Sequence, residues 1–258
     1  MKLGVNIDHI AVLREARLIN DPSLLDALGV LKISGADQVT IHLREDRRHI
    51  NDKDAKDIIE HSALPVNLEC SINEDIIKQV LELKPNRVTI VPENREEVTT
   101  EGGLDIPAIY DVLYSIVNVM HDNSIEVSLF IDPTVENVRS AKSMRVDWVE
   151  FHTGKFANIY AMLNTNLRHS SHCIEELDIP TSQLKKLLAK SIEELKIAVD
   201  EADELGINIA AGHGLNYQNV TEITKIDKIE ELNIGQSIIA RSVFTGLESA
   251  IKEIKALV

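Results

Sequence analysis

The stretch QVTIHLR, Gln38 to Arg44, alternates strictly: Val39, Ile41 and Leu43 fall on one face of an extended chain, and Thr40, His42 and Arg44 on the other. Three further β-branched runs split in the same way. Asn6 and Asp8 oppose Val5 and Ile7; Asn67 and Glu69 oppose Val66 and Leu68; Glu150 and His152 oppose Val149 and Phe151. In all, eight such runs recur along the chain, at 2–8, 38–43, 65–70, 87–92, 126–132, 147–154, 207–212 and 231–236. Between them lie segments of helical period, at 21–34, 52–62, 73–83, 106–122, 135–143, 182–205, 216–224 and 242–257. Strand and helix alternating eight times predict an α/β protein, a (β/α)8 barrel whose strands are all parallel. An open doubly wound sheet would place a glycine-rich loop after the first strand, and DHIAVLREAR has none.

In such a barrel the apolar set packs outward on the helices, so the polar set must line the interior and the carboxyl-terminal mouth. Interiors of this fold are normally filled with Val, Ile and Leu. One lined with Asn, Thr, Glu and His has to be hydrogen-bonded within itself or to water, since each unpaired buried polar group costs about 1–3 kcal/mol. That pattern predicts a functional, wet interior.

No linker rich in Pro, Gly or Ser divides residues 1–258, which we read as one barrel domain with an extra helix or partner-facing insertion at 155–182. Lys and Arg total 27 against 42 Asp and Glu, a net charge of −15. This balance disfavours nucleic acid and anionic membranes as partners. Any anionic ligand must therefore meet a local group of cations, and HLREDRRH, His42 to His49, is the densest one. Two cysteines, Cys70 and Cys173, are too few for a disulfide framework. With no signal peptide or long apolar span, a cytoplasmic location is expected.

The ordered series GVNIDHIAVLREAR, TIHLREDRRHI, VNLE, VPE, EVTTEGGLD, VSLFID, EFHTG, AGHGLNY and ELNIGQSIIARSVFTGL resembles the pyridoxine 5'-phosphate synthase family from Gly4 to about Leu247. The resemblance implies condensation of 1-deoxy-D-xylulose 5-phosphate with 3-amino-2-oxopropyl phosphate. Its products are pyridoxine 5'-phosphate, inorganic phosphate and water, formed without metal or organic cofactor in a homo-octamer. Carried over position by position, it implies His42 and Glu69 as acid/base residues, His213 as a proton donor and Glu150 as a transition-state stabiliser. It further implies Asp8, His9, Arg44, His49 and Thr99 as contacts to the deoxyxylulose phosphate. Asn6, Arg17, Gly214, Gly235 and Gln236 match contacts to the aminoketone phosphate, although many relatives have histidine where Gln236 stands.

The chemistry suits these residue types. An imidazole exchanges protons near neutral pH, a guanidinium grips phosphate in a fork, and loops after strands seven and eight, with a helix amino terminus, commonly cradle phosphate. Plainer alternatives stand beside each assignment. HLREDRRH also reads as a solvated charged loop, with Arg47 and Arg48 as surface charges. His42 could be a satisfied core residue, and Glu69 a carboxylate that only pairs with arginine. HSSHC, residues 169–173, lacks a fourth ligand at zinc spacing. No metal-ligand set converges among the barrel motifs, and NIDHI lacks the His-x-His of metal-dependent barrel hydrolases. A sugar-phosphate sensor would need the cations but not Glu69 or the histidines. The glycines of EVTTEGGLD are expected to hinge a lid over the mouth.

Overall fold

The computed structural model of the protein describes residues 1–93 and 102–258. Eight parallel strands close a barrel in sequence order, β1 Lys2–Asn6, β2 Gln38–His42, β3 Val66–Cys70, β4 Arg87–Ile90, β5 Glu126–Ile131, β6 Trp148–His152, β7 Asn208–Gly212 and β8 Glu231–Ile234. The outward set packs as the alternation requires: Val39, Ile41, Leu43, Val5, Ile7, Leu68, Val149 and Phe151 have no exposed surface. Each such side chain is worth about 1.5–3 kcal/mol of transfer free energy. Against them lie helices α1 Asp8–Glu15, α2 Leu24–Ser34, α3 Asp52–His61, α4 Glu74–Leu83, α5 Ile106–Asp122, α6 Val135–Met144, α7 Gly154–Asn164, α8 Thr181–Glu204, α9 Val220–Ile223, α10 Gln236–Thr245 and α11 Leu247–Lys255.

Two boundaries differ from the sequence expectation. Residues 8–15, read as part of a loop, form α1, whose apolar Ile10 and Ala11 are buried. The helix expected over 242–257 is two, parted at Gly246 with φ 79, a conformation that costs glycine little. The insertion does contain an extra helix, α7, followed by two 3₁₀ turns that bury Ile159, Met162 and Leu184 in a small cluster of their own.

The barrel interior is polar, in layers. At its amino-terminal end the Arg87 guanidinium donates to Glu231 Oε1 at 2.8 Å and lies 3.8 Å over the Trp148 ring, while Gln38 Nε2 donates to the same Glu231 oxygen at 3.0 Å. One layer up, Thr40 donates to Asn233 Oδ1 at 3.2 Å and Thr89 to Asn67 Oδ1 at 2.8 Å. Asn233 Nδ2 in turn donates to Glu150 Oε2 at 2.7 Å. Most of this layer is satisfied internally, which is why so polar an interior is tolerated. The layer above it opens to the mouth.

Candidate functional site

Strand register assembles that top layer. His42 is paired beside Glu69, and His152 beside Gly212, which itself neighbours Asn233. Together with the loops that follow the strands they line a cavity of about 410 Å³, within the range of small-molecule sites. Its walls include Asn6, Asp8, His9, His42, Arg44, His49, Glu69, Glu150, His213, Gly214, Gly235 and Gln236, twelve of the fourteen residues expected from the sequence.

On one side α1 begins at the mouth. Asp8 accepts from Asn6 Nδ2 at 2.8 Å and from the His42 backbone N–H at 2.9 Å, so the first turn of α1 is tied to β2. One ligand-type atom each of Asp8, His42 and Glu69 lies within 4.8 Å of the others. The expectation that no ligand set converges in the barrel motifs is therefore corrected: three groups able to hold a cation meet here, because register between β2 and β3 brings together residues that are distant in sequence.

The HLREDRRH loop is neither wholly solvated nor wholly a clamp. Arg44 is buried, 4 % exposed, with Nε donating to Asp46 at 3.3 Å and Nη2 at 3.8 Å from Glu93. Arg47 braces the loop by donating to the Arg44 and Glu45 carbonyls, and Arg48 pairs with Asp46; neither lines the cavity. His49 is buried, and its Nδ1 accepts the Ile50 N–H at 2.9 Å. In its neutral form the ring therefore carries its proton on Nε2, as a donor.

Across the mouth, His213 and Gly214 follow β7 with φ 75 and 78. A left-handed conformation is uncommon for a histidine and marks a place where surrounding structure dictates the backbone. Beyond β8, α10 is capped by Gly235, which has no side chain to satisfy the first-turn N–H groups, and Gln236 opens the helix at the cavity wall. That is the arrangement in which a helix amino terminus binds an anion. A Cβ on Gly235 would come within 2.9 Å of Asn6 Cβ, so glycine is needed for the close approach of the last loop to β1.

Two expected residues are not placed there. Arg17 sits exposed in the turn after α1 and does not line the cavity of this chain. Asp8 and His9 of α1 line the site, and the helix runs about 10 Å from Asp8 to its end at Glu15 before the turn that holds Arg17. Thr99 lies outside the described residues, as does most of EVTTEGGLD, though Gly102 lines the cavity.

Sequence reasoning gave no role to Glu93 or to the inward-facing His152. Glu93 Oε1 accepts the Glu45 N–H at 2.7 Å, and Oε2 lies 3.8 Å from His42 Nε2. Burial pushes the Glu93 carboxyl up, but His42, Glu45 and Arg44 more than offset it and hold it below the ordinary range. The signal existed, because Glu93 continues the inward alternation of Thr89 and Val91.

Burial pushes the Glu150 carboxyl up to about 7; the Asn233 hydrogen bond opposes the shift and Glu231 adds to it. Between its unfolded value near 4.3 and about 7, the folded protein holds a proton that the unfolded chain releases, so stability falls as pH rises through this window. Glu150→Gln keeps the Asn233 partner and removes the titration. It is expected to stabilise the protein at pH 8 by on the order of 2–3 kcal/mol and to change little at pH 4.5, as thermal melts at the two pH values would show.

The profile of the family described as pyridoxal phosphate biosynthesis protein PdxJ matches residues 3–258. A pyridoxine 5'-phosphate synthase of Aliarcobacter butzleri is 64 % identical over 258 residues, covering 100 % of this chain and 99 % of the relative. One from Sulfurovum sp. is 58 % identical over 257 residues, with 100 % of both chains covered. Among solved structures, the tryptophan synthase α-subunit of Pyrococcus furiosus superposes with TM-score 0.56 at 11 % identity, covering 100 % of this chain and 96 % of that one. Phosphoribosyl anthranilate isomerase of Thermus thermophilus gives 0.54 at 10 %, covering 100 % and 98 %. These last two likenesses concern the barrel alone.

Proposed function

Because the chain belongs to the family described as pyridoxal phosphate biosynthesis protein PdxJ, we propose that its cavity condenses 1-deoxy-D-xylulose 5-phosphate with 3-amino-2-oxopropyl phosphate to pyridoxine 5'-phosphate, phosphate and water. The observation that carries the site assignment is the pairing of an acid/base cluster, Asp8, His42 and Glu69, with a separate anion cradle at Gly214, Gly235 and Gln236 in one cavity.

Joining the amine to the ketone requires a base at nitrogen and then an acid at the departing hydroxyl. We assign the first role to Glu69 and proton return to His42, its register partner on β2. His213 serves the opposite wall. Glu150, titrating near neutrality, can stabilise positive charge when ionised and donate when protonated. Two phosphates repel each other in a water-poor cavity. Arg44 and the Nε2–H of His49 are our candidates for one, and the α10 amino terminus for the other, so that much of the acceleration comes from holding both substrates in attack geometry.

Mixing the two substrates with the protein and detecting pyridoxine 5'-phosphate by its absorbance and mass tests this reading directly. Turnover of neither substrate would sink it. Activity is further expected to survive exhaustive chelation, since His42 and Glu69 move protons only with their lone pairs unoccupied. A loss on chelation that one divalent cation restores would make Asp8, His42 and Glu69 a metal site instead.

No helix among the described residues is long and apolar enough to cross a membrane, which suits a cytoplasmic enzyme. Leu18, Val243 and Phe244 are 84 %, 67 % and 88 % exposed, and such surface favours a homo-oligomer. Light scattering is expected to give the mass of an octamer.

A further inference from the structure

His152, which the reading above leaves without a task, ends β6 at the cavity wall. Its side chain is only 5 % exposed, and Nδ1 is 3.1 Å from Asp132 Oδ1. The Asp132 carboxyl is held below its ordinary range by this hydrogen bond first, against a burial penalty, with help from the Gly103 N–H at 3.1 Å. An ionised carboxylate only accepts, so Nδ1 must be the donor. In the neutral ring the lone pair is then on Nε2, which is buried and has no hydrogen-bond partner among the described residues. A buried nitrogen left unpaired costs about 1–3 kcal/mol unless something meets it.

The ring lies on the His213 side of the cavity. The ring centroid is 5.1 Å from that of His213 and 5.1 Å from that of Phe130, and all three residues line the cavity. A Cβ on Gly154 would come within 2.3 Å of His152 Nε2 and 3.1 Å of His213 Cδ2. Glycine there lets Nε2 pack closely against the start of α7, beside His213.

We propose that His152, oriented by Asp132, is a further acid/base residue of this reaction, working on the His213 side of the cavity. The inference rests on the condensation reading above. The step it serves is the water loss that accompanies ring closure: Nε2 takes a proton from a substrate carbon, and the resulting imidazolium is balanced by Asp132. The same proton then passes to the hydroxyl that leaves as water, returning the ring to neutral. Asp132 thus acts as a positioning residue, while His152 is the group that meets substrate.

The test uses the intact protein with both substrates, comparing wild type, His152→Phe, His152→Gln and Asp132→Asn. Phenylalanine keeps the ring packing against Phe130 and His213 but has no nitrogen; glutamine is polar but cannot exchange a proton near neutral pH. Both are expected to lower kcat about a hundredfold or more while KM for each substrate stays within about threefold and the melt is little changed. Asp132→Asn, which can present an N–H to Nδ1 and so reverse the tautomer, is expected to lower kcat in the same direction. A His152→Phe or His152→Gln protein with kcat near wild type would overturn the proposal by making the ring packing alone, as would a loss confined to KM. Wild type that forms no pyridoxine 5'-phosphate in the same assay would instead overturn the condensation reading.

Discussion

Replacing Glu69 with glutamine is expected to lower kcat by about 10²–10⁴-fold, the range for losing one positioned acid/base group, with substrate KM values changed by far less. Glu69 closes the inward face of β3, paired in register with His42, and its carboxylate reaches the same small space as Asp8 and the His42 imidazole. Glutamine preserves the shape and one acceptor there but cannot take a proton from an ammonium or a carbinolamine. His42→Asn should fall as steeply for the same reason, and the two losses should add poorly, since the groups act as a unit. Steady-state kinetics on both substrates beside a thermal melt decide the matter. A Glu69→Gln enzyme with near-normal kcat and a raised KM would show that the carboxylate only holds substrate.

Arg44→Ala is expected to reduce kcat/KM for deoxyxylulose phosphate about tenfold to a hundredfold, the worth of a charge-assisted hydrogen bond at roughly 1.5–3 kcal/mol. Arg44→Lys, which keeps the charge and loses the fork, should fall between wild type and Ala. The structure makes the control sharper. Arg44 and Arg48 share Asp46, yet only Arg44 is buried at the cavity wall, and Arg48 is partly exposed outside it. Arg48→Ala should therefore change kcat/KM by no more than about twofold, an exposed pair being worth at most about 1 kcal/mol. Equal losses for the two alanine variants would mean that the loop offers only diffuse positive potential.

Glu93 adds a point that bears on both results. One of its oxygens is 3.8 Å from His42 and the other 3.8 Å from Arg44, so it lies between the group we propose for proton transfer and the one we propose for phosphate binding. Losing Arg44 removes a cation that holds the Glu93 carboxyl down. Some of the Arg44→Ala effect is thus expected in kcat as well as in KM.

Much of this molecule was legible in one dimension because its decisive periodicities are local. Alternation within strands is a property of extended backbone, and it correctly divided Val39, Ile41 and Leu43 from Thr40 and His42 before any contact was known. Repetition of that pattern eight times left closure into a barrel as the economical solution, and the polar inward set announced a working interior. The motif series then singled out residues such as His213 and Gly235, whose roles alternation does not reach.

What the chain order could not supply was distance between elements. Whether Asp8, His42 and Glu69 meet depends on the register of β2 against β3 and on α1 starting at the mouth, and neither leaves a mark in a local window. Arg17 reads as well as Arg44 in sequence, yet α1 carries it away along its axis while the loop after β2 folds Arg44 inward. His152 was visible on the inward face of β6, but its partner Asp132 lies on a different strand. Periodicity arises from the geometry of one element, whereas a site arises from the packing of several, where register and helix placement are fixed by the sum of many buried contacts.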